Sequence, residues 1–288
     1  MSATALDPLF AGTTVLVTGA SSGLGEELAR QLAARRANLI LTARSTEKLE
    51  ALAKELSGAH AIRADVITND LGAADGAAAL CAELDRRSFA VDHLVSNAGF
   101  GTNGPFTASD GARQGEMVRV NCEALTVLSH HVLPRMIEKR AGGILHVASV
   151  AGMQPVPFMA TYGATKAYVL SLSVALTEEL RGTGVRCSAL CPGPVPTGFQ
   201  QVAGSGIAPS QRAATMTAAE VVTIGLRAYA RGQAVCIPGA INRIQAFGSW
   251  IAPRSILVRA VGRMMRAKGE SATPALTPPL MRSVNIMS

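Results

Sequence analysis

The stretch Thr13–Arg44, TTVLVTGASSGLGEELARQLAARRANLILTAR, contains an apolar run rich in β-branched residues, a glycine-rich turn, an amphipathic helix and a second apolar run. That order is a βαβ unit. Leu28, Leu32 and the alanines between them supply a face that packs on a sheet, and Arg30, Arg35 and Arg36 flank it. The pattern recurs along the chain. Helices are predicted over Thr46–Leu56, Ala74–Arg87, Gly111–Glu138 and Tyr162–Arg181, and strands over Ala59–Asp65, VDHLVSNAG (91–99), GILHVAS (143–149) and VRCSALCPG (185–193). AVCIPG (234–239) supplies an edge or closing strand. Strands that alternate with crossover helices imply one α/β domain: a doubly wound parallel sheet in a three-layer α/β/α arrangement.

At 288 residues and 48% hydrophobic content the chain can bury a substantial core. A net charge of +7 suits an anionic ligand, a membrane surface or nucleic acid, but no basic run is interleaved with aromatic stacking residues, so nucleic acid is not expected. The five cysteines are odd in number and show no CxxC or metal-ligand spacing. They read as free buried thiols in a reducing cytoplasm, with no metal site. The start, MSATALDPLFAG, lacks the basic and long apolar regions of a secretory signal. The run Gly142–Thr165 holds no Asp, Glu, Lys or Arg, but Pro155 and Pro157 make it poor material for a transmembrane helix.

In TGASSGLG, Gly19, Gly23 and Gly25 stand where the first strand meets the first helix. Glycine there lets backbone approach a pyrophosphate, whose charge meets the N–H groups of the helix start, so Ser21, Ser22 and Leu24 join the glycines as candidate cofactor residues. No GK[ST] follows, which argues against a nucleotide-hydrolysing loop. At the end of the second strand LTARS offers Arg44 and Ser45 and no carboxylate. Arg44 can fork onto a 2′-phosphate and Ser45 can add a hydroxyl, so NADP(H) is favoured over NAD(H).

Tyr162 and Lys166 are spaced i, i+4 and share a helical face. An ammonium beside a phenol is expected to lower its pKa and make it a usable general acid or base. Ser149, at the end of a strand, can hydrogen-bond the same substrate oxygen. Asn121, in VRVNCEAL, either completes such a site or satisfies a backbone group.

These motifs, with SNAG at Ser96–Gly99 and CPGPVPTGF at Cys191–Phe199, stand in the order found in short-chain dehydrogenases/reductases, which the chain resembles from about Val15 to Gly239. The resemblance implies a Rossmann-type catalytic domain over residues 1–240, with Asn121, Ser149, Tyr162 and Lys166 as catalytic tetrad. It places Tyr162 and Lys166 also against the cofactor, Asp65 and Val66 near the adenine, Asn97, Ala98 and Gly99 along the cofactor, and Pro192, Gly193, Val195 and Thr197 around the nicotinamide carboxamide. SNAG in place of the commoner NNAG is a departure at Ser96. TARS and the late PGAINR resemble the branch of hydroxysteroid dehydrogenases and 3-ketoacyl reductases.

Phe100, Met153, Phe158 and Phe199 follow the motifs closely enough to line an apolar pocket. The expected function is therefore NADP(H)-dependent hydride transfer between nicotinamide and an apolar ketone or secondary alcohol. The second reading is a protein that senses NADP(H) on the same scaffold without turnover. Thr197–Thr217 lacks periodicity and reads as a lid. Residues 241–268 form two basic amphipathic stripes, expected to pack on the domain or a partner subunit, with peripheral membrane contact as the alternative. Residues 269–288 read as a flexible tail. The resemblance also implies a homodimer or homotetramer.

Overall fold

The computed structural model describes residues 7–199, 203 and 213–270. Its centre is strand β1 (Thr14–Thr18), buried along its whole length because both faces of a parallel sheet are covered by helices. The other strands are β2 (Asn38–Ala43), β3 (Ala64–Thr68), β4 (His93–Ser96), β5 (Gly143–Val147), β6 (Arg186–Leu190) and β7 (Val235–Cys236). All pairs are parallel, in the order β3-β2-β1-β4-β5-β6-β7. The chain leaves β1 towards one edge, and after β3 crosses back to place β4 on the other side of β1. That reversal opens a crevice at the carboxyl ends of β1 and β4.

Alternate residues of β1 feed two cores. Val15 and Val17 pack with Leu28 and Leu32 of α2 (Gly23–Ala33), Leu49 and Leu56 of α3 (Thr46–His60), and Val222 and Leu226 of α8 (Ala218–Ala230). Leu16 faces the other way, with Leu80 and Leu84 of α4 (Gly76–Arg86) and Leu128 and Met136 of α6 (Ala124–Lys139). The three-layer doubly wound α/β/α fold expected from the sequence is the fold observed. A single turn, α1 (Asp7–Phe10), precedes β1 and buries Phe10 against His93 and Tyr229.

Four local expectations are corrected. Helix α3 runs on to His60 instead of stopping at Leu56, and Ala61 ends it in the left-handed conformation. Gly58 lies within its last turn, where an added Cβ would meet nothing within 4 Å. The third strand therefore begins at Ala64, not Ala59. The long helix expected over Gly111–Glu138 is interrupted: α5 (Gly111–Val118) passes through a π-helical turn, Arg119–Glu123, before α6. Beyond the sheet lie α9 (Ala240–Ile251) and α10 (Arg254–Glu270), parted at Pro253, and α10 continues two residues past the expected limit of 268. Most of the expected lid, at 200–202 and 204–212, and the tail at 271–288 lie outside the described residues.

Candidate active site

At the carboxyl end of β1, Thr18 and Asn97 tie two strand ends together. Thr18 Oγ1 accepts from the Asn97 and Ala98 amides, both at 3.0 Å, and Asn97 Nδ2 donates to the carbonyls of Thr18 (3.0 Å) and Gly19 (3.2 Å). This clamp presses the glycine loop into the crevice. A Cβ on Gly25 would lie 2.1 Å from the Gly19 carbonyl oxygen, and Gly19 and Gly23 hold φ of +66° and +60°. The loop ends at the N-terminus of α2, where Ser22 makes no side-chain cap, so the first-turn amides face the crevice with the positive end of the helix. A Cβ on Gly23 would touch Thr197, which brings the segment after β6 over the same loop. This cradle fits a dinucleotide pyrophosphate.

Arg44 and Ser45 follow β2 directly, with the Arg44 side chain 65% exposed. Its Nη1 lies 3.8 Å from Glu116, whose carboxylate already meets Arg113 at 2.5 Å. Asp65 and Val66 stand elsewhere than expected. They pair with Ile40 and Leu41 inside β3, and Asp65 lies against Arg63 at 2.9 Å. Three residues of strand, about 10 Å, separate Asp65 from the end of β3. The edge is occupied by Asn69, Asp70 and Leu71, where the Gly72 amide donates to Asp70 Oδ1 at 2.9 Å and Leu71 is buried. The longer α3 is the cause. The signal was present as a second acidic-apolar dipeptide, Asp70-Leu71, five residues on.

The four candidate residues Asn121, Ser149, Tyr162 and Lys166 come together from the π turn, the end of β5 and α7 (Ala160–Glu179). Tyr162, 9% exposed, stands close to Ser149, which follows β5. Lys166 Nζ donates to the Val147 carbonyl at 2.7 Å and lies 5.9 Å from the Tyr162 ring centroid. Asn121, buried in the π turn, donates to the Phe100 carbonyl (3.0 Å) and Thr165 Oγ1 (2.9 Å), and accepts from the Phe100 amide (3.1 Å). A π turn adds a residue per turn and so rotates Asn121 onto this line. Thr165, unremarked in the sequence, donates in turn to the Tyr162 carbonyl at 2.8 Å. It links Asn121 to the tyrosine's own backbone. Ser149 Oγ also reaches the Pro192 carbonyl at 3.4 Å, Val195 is buried, and Gly193 is pressed on Asn242 of α9. Gly99 lies beneath Asn121 and Lys166.

Burial dominates the electrostatics. It pushes the Tyr162 phenol up to about 12, with the Ser149 hydrogen bond opposing, and pushes Lys166 down to about 8. The expected lowering of the phenol is thus reversed in sign, because desolvation of the phenolate outweighs the opposing Ser149 hydroxyl. Unfolded Lys166 keeps its proton to about 10.5, whereas folded Lys166 sheds it near 8. Between those values the unfolded state binds more protons, so through this group stability rises with pH. The window closes near 10, where Tyr162 begins to act in the opposite sense. The rise in Tm from pH 8 to pH 10 is expected to be smaller in Lys166→Met than in wild type; equal slopes by thermal melting would contradict this.

Around Tyr162 the lining is apolar: Phe100, Met117 and Tyr162 form one cluster with Val120, Met159 and Phe199, and the Phe199 ring stands 5.3 Å from that of Tyr162. Met117, Val120 and Met159 were not singled out in the sequence. Met153 instead packs with Val169 and Cys191, away from that cluster. Phe158 lines a small neighbouring cavity with Phe106 and Thr102. Ser96 Oγ is buried without a hydrogen-bond partner among the described residues, which is the structural trace of SNAG.

The family model for short chain dehydrogenase matches residues 13–207. The chain belongs to the short-chain dehydrogenase family. Hydroxysteroid dehydrogenase-like protein 1 of Gallus gallus is 36% identical over 63% of this chain and 55% of its own length. Sulfoacetaldehyde reductase 2 of Chromohalobacter salexigens is 38% identical over 67% of this chain and 76% of its own. Among solved structures, a short-chain dehydrogenase from Sphingobium yanoikuyae in complex with NADPH superposes with a TM-score of 0.75 at 33% identity, covering 83% of this chain and 93% of that one. The chain thus spans little more than half the length of the first of these curated relatives. Short-chain dehydrogenases are oxidoreductases that use a nicotinamide cofactor, and the cradle at Gly19–Gly25 agrees with that chemistry.

Proposed function

We propose that this chain is an NADP(H)-dependent carbonyl reductase or alcohol dehydrogenase acting on an apolar ketone or the matching secondary alcohol. The observation that carries the proposal is the gathering of Tyr162, Lys166 and Ser149 at one place, with Tyr162 and Lys166 buried and the Phe100 and Phe199 rings packed on the phenol. When bound, the nicotinamide supplies or takes up the hydride. In reduction, Tyr162 gives its proton to the carbonyl oxygen and Ser149 donates a second hydrogen bond to that oxygen. With its pKa raised, the phenol stays protonated at neutral pH, the form a general acid needs. Lys166 serves the cofactor ribose and the phenol from its anchor on Val147. Asn121, whose side chain is taken up by Phe100 and Thr165, acts as a positioning residue for Tyr162.

In this reading Gly19, Ser21, Ser22, Gly23, Leu24 and Gly25 hold the pyrophosphate, and Asn97 to Gly99 with Pro192, Gly193, Val195 and Thr197 follow the nicotinamide half. The adenine role falls to Asp70 and Leu71 in place of Asp65 and Val66. Arg44 and Ser45 take the 2′-phosphate. Arg44→Ala is expected to raise KM for NADPH by about ten- to a hundredfold, the worth of one charged hydrogen-bonded contact, and to leave KM for NADH within about twofold. Equal effects on both coenzymes would remove Arg44 from phosphate recognition.

The relatives' names span a hydroxysteroid dehydrogenase-like protein and a sulfoacetaldehyde reductase, so the substrate class rests on this chain's own lining. NADPH and NADH oxidation against ketosteroids, 3-ketoacyl thioesters, aromatic ketones and sulfoacetaldehyde tests it. Turnover confined to sulfoacetaldehyde would overturn the apolar substrate, and tight NADPH binding without turnover on any class would favour the sensor. Val118 of α5 and Tyr168 and Val174 of α7 are exposed, which supports a homodimer or homotetramer through that face. The five free thiols suit a reducing compartment such as the cytoplasm.

A further inference from the structure

Helix α9 is amphipathic in the reverse sense for a globular protein. Its inward side is Asn242 and Ala246, both buried, with Ser249 Oγ donating to the Met153 carbonyl at 3.4 Å. Its outward side is Ile241, Ile244, Phe247 and Ile251, on one face at helical spacing, and the last three are 70%, 67% and 68% exposed. Helix α10 extends the face with Ile256, 62% exposed, and Met264, while Val261 and Met265 turn inward. Gly262 lies against Pro157, and the Arg266 guanidinium stands 6.0 Å from the Phe158 ring centroid. The two helices are therefore seated on the segment that leads into Tyr162, with their apolar side facing out.

Charge decides what covers that side. From Ala240 to Glu270 the chain carries Arg243, Arg254, Arg259, Arg263, Arg266 and Lys268 against a single acid, Glu270 at its end. Elsewhere 21 Lys and Arg nearly balance 19 Asp and Glu, so this segment holds five of the net seven positive charges. A second copy docking through the same patch would bring six cations against six, since a two-fold interface pairs like with like. An anionic lipid surface supplies both an apolar layer for Ile244, Phe247, Ile251 and Ile256 and negative headgroups for the arginines. No helix among the described residues is long and apolar enough to cross a membrane, so the contact is one of helices lying on the surface. We infer that α9 and α10 dock this protein on anionic lipid bilayers, with the entrance to the Tyr162 site beside the bilayer. Delivery of an apolar substrate from the lipid would rest on the proposed function; the docking does not.

Flotation of the full chain with vesicles of phosphatidylcholine alone, and of phosphatidylcholine with about a third phosphatidylserine, tests the inference. Binding is expected to the anionic vesicles only, weakened at least about tenfold by high salt, by Ile244→Asn with Phe247→Asn, and separately by Arg259→Gln with Arg263→Gln. All four residues are exposed, and unchanged circular dichroism and NADPH affinity certify the variants as folded. A wild-type chain left unbound, equal binding to neutral vesicles, or full binding by the apolar double variant would each overturn the proposal. So would a wild-type oligomer that the Ile244 and Phe247 changes dissociate while vesicle binding is absent, which would assign the face to a second copy.

Discussion

Tyr162→Phe is expected to lower kcat by about a thousandfold while NADPH affinity stays within about twofold. A positioned general acid contributes about a hundred- to ten-thousandfold, and the substitution removes the hydroxyl and nothing else. The ring that packs 5.3 Å from Phe199, and the backbone carbonyl held by Thr165, remain in place. Lys166 keeps its bond to Val147, so its seat against the cofactor does not depend on the phenol. Ser149 keeps its bond to the Pro192 carbonyl. A uniform loss of binding would instead appear in KM. Steady-state rates beside a fluorescence titration with NADPH separate the two, and a variant that turns over within tenfold of wild type would exclude Tyr162 as the acid.

Gly25→Ala is expected to weaken NADPH binding about a hundredfold and to lower Tm by about 3–10 °C. Its Cβ would lie 2.1 Å from the Gly19 carbonyl oxygen and 2.4 Å from Asn97 Nδ2, and the first of these is backbone that cannot rotate away. Asn97 is fixed on the Thr18 and Gly19 carbonyls, so relief requires the end of β1 and the start of α2 to part. Overpacking of this kind costs about 1–3 kcal/mol, and for a chain of this size each kcal/mol is about 2–4 °C. The larger effect falls on the ligand, because the same shift re-aims the first-turn amides. Gly58→Ala is the control: with open space around it in α3, it should stabilise by about 0.5–1 kcal/mol and leave binding unchanged. Wild-type affinity in Gly25→Ala, by isothermal titration, would remove the loop from the cofactor site.

The alternation of apolar runs with amphipathic helices, the glycine loop and the Tyr162–Lys166 spacing are local features, set by residues within a few positions of one another. They were legible from Thr13 onward because periodicity and φ preference act at short range. The position of the adenine edge was less so. Whether Asp65-Val66 or Asp70-Leu71 stands at the end of β3 depended on where α3 stopped, and it runs four residues past Leu56. The role of Thr165 was invisible, since a threonine one turn from a tyrosine becomes a bridge only when the π turn brings Asn121 to it.

Sequence by itself determined the parallel α/β architecture, the glycine cradle, the absence of a carboxylate after β2 and the identity of the hydroxyl, phenol and amine that meet at the site. Tertiary structure alone decided the direction in which Tyr162 titrates and the direction in which α9 faces. The physical reason is common to both. A phenol's pKa sums desolvation over everything packed around it, and an apolar stripe becomes core or surface according to what its neighbours leave uncovered; here they bury the phenol and leave Ile244 and Phe247 outside.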